Sequence, residues 1–261
     1  MALLEVKGLS KNFGGLAAID SLDLDIDEGE IRGVIGPNGA GKTTLFNVIS
    51  GTSRPTTGTI TFEGKEIAGL RPSKIAEKGL VRTFQRTALF NDFSVLDNVS
   101  IARHLHAKET IFGAILGTAR KMEKENERRA EEIVDFIGLS EVKYELADSL
   151  AHGHQRALGV ALALAAEPKL LMLDEPVAGM NPAETQAMTT LIRRLRDEWG
   201  LTVALVEHDM RTVMGVCEKI TVLNFGQKLA EGSPDEIVNN RDVIEAYLGS
   251  EDILGDEFDV A

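Results

Sequence analysis

The chain has a single cysteine, fewer basic than acidic residues and no long apolar run. Cys217 cannot form an internal disulfide, which suits a reducing compartment, and we expect it to be a small buried apolar side chain without a redox role. Lysine and arginine number 28 against 41 aspartates and glutamates, so the formal net charge is −13. This charge argues against nucleic acid or anionic lipid as a general electrostatic partner.

The sequence also lacks the patterns of membrane-spanning and exported proteins. No apolar run approaches the ~18 residues of a bilayer-spanning helix, and the longest candidate, Ala157 to Ala166, is short and alanine-rich. The N-terminus has no charged start followed by a long apolar segment. We expect a soluble cytoplasmic protein that can still lie against a membrane protein, with one core and room for a subdomain.

The segment from Gly36 to Thr44 has the spacing of a phosphate-binding loop: a glycine, four residues, then Gly-Lys-Thr. It follows the apolar run Ile31 to Ile35 and precedes a helical pattern from Leu45, which is the context that such a loop requires. Glycine N–H groups close around phosphate oxygens, and the helix N-terminus directs its positive end at them. The residues expected to bind a nucleoside triphosphate are Asn38, Gly39, Gly41, Lys42, Thr43 and Thr44, with Lys42 on the β and γ phosphates and the Thr43 hydroxyl on Mg²⁺.

Strand and helix patterns predict an α/β fold. Residues 3–35 are β-rich, and apolar residues alternate with aspartates from Leu22 to Asp27, so one face of that strand is exposed to water. Strand patterns return at residues 169–173, 202–206 and 219–223, separated by segments of helix length. This rhythm predicts βαβ units in a parallel sheet.

The pattern is helical from about residue 91 to residue 166. Ala130, Ile133, Val134 and Ile137 have the i, i+3, i+4, i+7 spacing of one apolar helix face, with charged residues elsewhere on the helix. We therefore interpret residues 1–261 as one domain with three parts. They are a nucleotide-binding core (1–88 and 167–249), an inserted helical subdomain (89–166) and an acidic tail (250–261).

Two carboxylates follow the apolar strand pattern that begins at Leu170. Chemistry in folds with a phosphate-binding loop is placed at the carboxyl ends of such strands. We expect Asp174 to hold the Mg²⁺ shell and Glu175 to act as the general base that polarises an attacking water.

A histidine and a glutamine complete the set of candidate residues. His208 ends the strand pattern 202–206, where a hydrogen bond to the γ-phosphate region makes it a candidate catalytic sensor. Gln85 lies where the β-rich part gives way to the helical part, and its side-chain carbonyl can ligate Mg²⁺ or a water. An exposed glutamine is the plainer interpretation of that position.

In this order the motifs resemble those of the nucleotide-binding subunit of an ATP-binding-cassette transporter. They are Phe13, residues 36–44, Gln85, residues 150–156, residues 170–175, residues 178–181 and His208, and the resemblance extends to about Leu248. It implies a RecA-like parallel-sheet core with an N-terminal antiparallel β subdomain and an inserted α-helical subdomain. It also implies that Phe13 stacks on adenine, that Gln85 couples nucleotide to a permease, and that Gly153 belongs to the signature that completes a partner subunit's site.

Within that family the chain is similar to the branched-chain amino acid importers, over residues 82–85, 89–90, 173–182, 223–226 and 244–249. The resemblance implies ATP and Mg²⁺ as cofactors. It implies membrane permease subunits and a second, identical or different, ATPase subunit as partners, with an extracytoplasmic solute-binding protein as an indirect one. It places the chain peripherally at the cytoplasmic face of the cell membrane, with no nucleic acid partner. The solute and the role of the insert at residues 106–120 stay open.

The chain departs from the family pattern in two places. Ala151, His152 and His154 stand where the signature usually has Leu-Ser-Gly-Gly-Gln, and the imidazoles either donate to phosphate or face solvent. Asn181 replaces a usual aspartate, and with Pro182 and Glu184 it also reads as a helix N-cap with a capping box.

Three other interpretations compete with an ATPase subunit of an amino acid importer. A regulatory or assembly cassette with weak hydrolysis would account for the divergent signature, but the retention of Glu175 argues against it. A small-molecule kinase would leave Gln85, Gly153 and His208 unexplained. A cassette of DNA repair or translation is disfavoured by the net charge of −13.

Overall fold

The computed structural model describes residues 2–83, 89–106 and 119–248, and the chain divides into two units. One unit combines the segment up to Arg82 with the segment from Lys169 onward, and the other spans Thr83–Pro168. The sequence patterns place these boundaries at residues 88/89 and 166/167. The insert at residues 106–120 and the tail 250–261 lie almost entirely outside the described residues.

Strands and helices alternate through the described residues. The strands are β1 (Ala2–Phe13), β2 (Leu16–Asp27), β3 (Ile31–Ile35), β4 (Thr57–Phe62), β5 (Lys65–Glu66), β6 (Leu80–Arg82), β7 (Leu170–Asp174), β8 (Thr202–Val206), β9 (Lys219–Asn224) and β10 (Gln227–Gly232). The helices are α1 (Lys42–Ile49), α2 (Pro72–Ala76), α3 (Val95–His106), α4 (Ala119–Phe136), α5 (His152–Leu164), α6 (Pro182–Asp197), α7 (Met210–Val216), α8 (Pro234–Val238) and α9 (Arg241–Leu248).

The first unit contains two sheets. An antiparallel sheet has the order β2-β1-β4-β5, and in β2 the apolar residues from Leu22 to Ile26 are buried while the aspartates are exposed, as the alternation predicts. The second sheet has the order β10-β9-β3-β8-β7-β6, in which the strands from β9 to β6 are parallel and β10 forms an antiparallel edge. Every residue of β3, β7 and β8 is buried. The predicted α/β fold is confirmed.

Helix α1 joins the cores of the two sheets. Its Leu45, Phe46, Val48 and Ile49 belong to one apolar cluster with buried side chains of β1, β2 and β4 and of the parallel strands. Since α1 begins directly after the glycine-rich segment, burial of this helix fixes the position of that segment relative to both sheets.

The unit of residues 83–168 is helical over its described part, and α3 packs against α4 and α5. Ala130, Ile133, Val134 and Ile137 are all buried, as their spacing predicts. A fully buried asparagine, Asn98, donates to three backbone carbonyls and accepts from the Phe90 N–H, so its polar atoms are satisfied without water.

Side chains cap the N-termini of two helices that follow the parallel strands. Asn181 accepts from the N–H groups of Ala183 and Glu184, while the Glu184 carboxylate accepts from the Asn181 N–H, which confirms the capping box of α6. Asp209 caps α7 through the Thr212 N–H at 2.6 Å. Among the described residues, no helix has the length and apolarity needed to cross a bilayer.

A buried guanidinium links strands of both sheets. Arg32 on β3 is 1% exposed and donates to the Asp25 carbonyl of β2 at 2.7 Å and to the Thr221 hydroxyl of β9 at 3.2 Å. It also pairs with Glu30 at 2.8 Å and with Glu231 at 3.4 Å. The Arg32 side chain thus contacts acceptors from β2, β9 and β10 at once.

We expect Arg32→Met to lower the free energy of unfolding by about 1–3 kcal/mol, because it removes the guanidinium donor to the Asp25 carbonyl and to the buried Thr221 hydroxyl. Urea unfolding measures this change in free energy through the fluorescence of Trp199, the only tryptophan. Trp199 and Arg32 belong to the same unit. The control is Arg194→Met, which removes an exposed pair with Glu198 and should leave stability near that of the wild type. Equal stability of the two variants would contradict the prediction.

Candidate functional site

The candidate site lies at the carboxyl edge of the parallel sheet. Strand β3 pairs in parallel with β8, where Val34 lies opposite Val206, and β8 pairs with β7, where Val206 lies opposite Asp174. The segments that follow these three strands therefore begin side by side, which is the arrangement that places ligands in open α/β sheets.

Close backbone contacts determine the shape of the glycine-rich segment. Gly36 has φ +148°, and a Cβ at this residue would lie 2.1 Å from the Leu223 carbonyl oxygen of β9. Gly41 has φ +106°, and a Cβ there would lie 2.6 Å from the Ala18 carbonyl oxygen of β2. Only glycine fits at both positions, because each approach is closer than any side chain tolerates.

The N-terminus of α1 and a buried lysine provide the positive charge of the site. Gly41 is the N-cap of α1 and supplies no side-chain acceptor to its first N–H groups. Lys42 is 6% exposed, and its Nζ donates to the Gly36 carbonyl and, at 3.1 Å, to that of Pro37. Burial lowers the pKa of Lys42, and the charge of Glu175 opposes that shift. A helix N-terminus with such a lysine is a site for an anion.

A cavity of about 550 Å³ opens above this segment, within the size range of small-molecule sites. Nine of the predicted site residues line it: Phe13, Asn38, Gly39, Gly41, Lys42, Thr43, Thr44, Glu175 and His208. Leu16, Ala17, Ala18, Ala40 and Phe225 complete the lining, and no role is predicted for them from sequence. The lining thus combines the phosphate-binding segment, Glu175 and His208 with an apolar part. The apolar part consists of Phe13, Leu16, Ala17, Ala18 and Phe225.

Two predicted catalytic residues contact each other at the cavity. Glu175 follows β7 with φ +47°, a left-handed conformation that is costly for a residue with a side chain, and its N–H donates to the Val206 carbonyl at 2.9 Å. Its Oε1 lies 3.1 Å from His208 Nε2. The Glu175 side chain is 19% exposed, so it is accessible from the cavity but mostly enclosed.

Asp174 has a cationic partner that the sequence analysis missed. Arg82 Nη2 donates to Asp174 Oδ2 at 2.6 Å, and the two side chains are 5% and 6% exposed. Arg82 Nη1 also donates to Asn47 Oδ1 of α1 at 2.7 Å. This contact joins β6, β7 and α1, and no spacing rule links residues 82 and 174, so only the fold reveals it.

Glu207 is a second missed residue. It is 3% exposed at the end of β8 and accepts from the N–H groups of Val177 and His208, each at 2.9 Å. Burial raises the pKa of this carboxyl, and the backbone N–H donors oppose that shift. Glu207 therefore fixes the backbone of His208 to the loop that follows Glu175.

The other predicted residues are not part of the cavity lining or lie outside the described part of the chain. Gln85 lies outside the described residues. Gly153 belongs to the unit of residues 83–168 and lies in the first turn of α5. His152 and His154 beside it are exposed. Cys217 is buried, as expected, and burial raises the pKa of its thiol to about 12.

The oxygen donors at the site suit a hard cation. Thr43 presents a hydroxyl at the start of α1, and Asp174 presents a carboxylate at the end of β7. No group of three or more His, Cys, Asp or Glu side chains among the described residues forms a metal cage. A hydroxyl and a carboxylate fit Mg²⁺, which takes one or two protein oxygens and fills its shell with water and phosphate.

The sequence matches the ABC transporter family over residues 19–178 and the branched-chain amino acid ATP-binding cassette transporter family over residues 227–253. The chain is 46% identical to the high-affinity branched-chain amino acid transport ATP-binding protein LivG of Salmonella typhimurium over 249 residues, which cover 95% of this chain and 98% of LivG. It is 44% identical, with the same coverage, to BraF of Pseudomonas aeruginosa, which is also a high-affinity branched-chain amino acid transport ATP-binding protein.

Among solved structures, the ADP conformation of MJ1267, an ATP-binding cassette of an ABC transporter, has a TM-score of 0.84 at 29% identity. The alignment covers 96% of this chain and all of that one. Since the family match spans more than half of the sequence and the relatives align along nearly all of it, the chain belongs to the ABC transporter family and is one of its ATPase cassettes.

Proposed function

We propose that the chain is the ATP-hydrolysing subunit of an importer for branched-chain or other amino acids, and that it couples ATP binding and hydrolysis at a dimer interface to a membrane permease. The observation that carries the proposal is the contact of Glu175 with His208 at the cavity above Lys42. The identity of 44–46% to LivG and BraF supports amino acid import in particular.

Triphosphate binding follows from the geometry of the loop. The N–H groups of residues 38–44 and the N-terminus of α1 surround the phosphate oxygens, and the Lys42 ammonium leaves its carbonyl partners to contact the β and γ phosphates. Phe13, at the end of β1, is 54% exposed and stacks on the adenine ring. Thr43, Asp174 and Gln85 would hold Mg²⁺, which would neutralise charge on the phosphates.

Hydrolysis depends on Glu175. Its carboxylate accepts a proton from a water aligned with the γ-phosphate, while His208 Nε2 keeps the carboxylate oriented and senses the phosphate. The left-handed backbone of Glu175 and the hydrogen bond from its N–H to the end of β8 fix the direction of this side chain. A base held in this way is positioned before nucleotide arrives.

Coupling requires a second cassette and a permease. Gly153 in the first turn of α5 completes the partner cassette's site, because the N-terminus of this 13-residue helix is an anion site that can receive a phosphate. Gln85 transmits the nucleotide state to permease subunits, and an extracytoplasmic solute-binding protein delivers the solute. The chain accordingly works peripherally, at the cytoplasmic face of the cell membrane.

A regulatory cassette with weak hydrolysis is the alternative that the divergent signature suggested. The intact contact between Glu175 and His208 and the close relation to transport ATPases favour the ATPase over that alternative.

Glu175→Gln should lower the rate of ATP hydrolysis about 100-fold or more, because an amide cannot act as a general base. Phosphate release measures the rate, and ATP binding should persist. The matched control is Glu198→Gln, which changes an exposed residue near the end of α6 and should keep the wild-type rate. Wild-type turnover by Glu175→Gln would exclude Glu175 as the base.

His208→Ala should lower hydrolysis about tenfold or more with little change in ATP affinity, since it removes a hydrogen bond to a charged group worth about 1.5–3 kcal/mol. His208→Gln can place an amide near Glu175 and should retain more activity than the alanine variant. If the alanine variant loses ATP affinity instead, His208 acts in binding and the proposed role is wrong.

In cells, replacing the chain by its Glu175→Gln variant should abolish uptake of radiolabelled leucine, isoleucine and valine while leaving uptake of an unrelated sugar unchanged. Co-purification of the complex from membranes should recover permease subunits and show whether the second cassette is identical. Wild-type uptake of all three amino acids would leave the ATPase assignment intact and reject this choice of solute.

A further inference from the structure

An exposed phenylalanine lines the cavity and takes no part in the chemistry described above. Phe225 forms the turn between β9 and β10 and is 86% exposed, more than the other exposed large hydrophobic residues of the described chain. Its φ is +45°, and that of the following Gly226 is +80°. Two-residue turns with both φ angles positive favour asparagine or glycine at the first position, so an aromatic residue there is strained.

This turn is attached to both walls of the cavity. The Gly226 N–H donates to the Ala40 carbonyl of the phosphate-binding segment at 3.0 Å, and the Gly226 carbonyl accepts from the Asp20 N–H of β2 at 2.9 Å. Gln227 Nε2 donates to Asp20 Oδ2 at 2.8 Å. A strained and solvent-exposed phenyl group is therefore held at a fixed place beside the loop, which folding alone does not explain.

We propose that Phe225 is a second aromatic contact for the nucleotide base, in addition to Phe13. The inference rests on the proposed function, since it assumes that a nucleoside triphosphate occupies this cavity. Both aromatic residues line the cavity together with Leu16, Ala17 and Ala18, so part of its wall is apolar. A planar base suits such a wall, because stacking covers an exposed ring without requiring a particular hydrogen-bond pattern.

The surroundings of Phe13 explain why a second aromatic residue is useful. Lys11 Nζ lies 4.7 Å from the centroid of the Phe13 ring, so a cation already occupies one face of that ring. Phe13 is the last residue of β1, whereas the turn of Phe225 is hydrogen-bonded directly to the phosphate-binding segment. Phe225 thus holds the base at a defined distance from the phosphates.

Binding of ADP and of inorganic pyrophosphate, measured by calorimetry, separates the base from the phosphates without hydrolysis. In Phe225→Ala the Kd for ADP should rise about fivefold or more, as loss of a stacking contact predicts, while the Kd for pyrophosphate stays at the wild-type value. Phe225→Trp should bind ADP within about twofold of the wild type, since it keeps an aromatic face. The matched control is Tyr144→Ala, which removes another exposed aromatic residue, 73% exposed, from the other unit.

A further variant separates binding from damage to the fold. Asparagine adopts positive φ angles more readily than phenylalanine, so Phe225→Asn should keep or raise the thermal unfolding midpoint while it weakens ADP binding. Unchanged ADP affinity in Phe225→Ala, or an equal loss for ADP and pyrophosphate, would overturn the proposal. If the wild-type chain binds neither ligand, the nucleotide site itself is wrong, which is a different failure.

Discussion

The parallel pairing of β3 with β8 and β9 is the constraint on which the rest of the structure depends. Because these hydrogen-bonded ladders run in one direction, the segments after β3 and β8 emerge at the same edge, and β7 adds its own end through β8. Burial of every residue in β3, β7 and β8 holds this register, since a slip by one residue would exchange side chains between two close-packed faces. The phosphate-binding segment and the carboxylates therefore meet at this edge of the sheet.

Close backbone contacts of two glycines fix the phosphate-binding loop at this edge of the sheet. Gly36 lies against the end of β9 and Gly41 against β2, so the loop is held between the two sheets of its unit. Because the loop lies close to the end of β9, the Gly226 N–H can donate to the Ala40 carbonyl. This hydrogen bond connects the β9–β10 turn to the loop. One set of close backbone approaches thereby shapes the phosphate site and holds Phe225 beside it.

Sequence reasoning predicted the parts of the site that are local and failed for contacts between distant segments. Three features each span only a few consecutive residues, so a sequence pattern suffices to find them. They are the spacing of the phosphate loop, the carboxylates after an apolar strand and the capping box at Asn181. The contact between Arg82 and Asp174 joins residues 92 positions apart, and the role of Glu207 depends on a neighbouring loop. Phe225 was missed because turn rules favour a small or polar residue there, so its strain is visible only in the structure.

Three acids at the ends of two neighbouring strands differ in their partners, and these partners separate their roles. Asp174 is paired with the Arg82 guanidinium, which balances its buried charge. Glu207 is enclosed by backbone N–H donors, so it shapes the loops and takes no part in the cavity lining. Glu175 alone of the three lines the cavity, where its Oε1 contacts His208 Nε2. Its place beside the phosphate loop and its contact with His208 are what the proposed role as general base requires of this carboxylate.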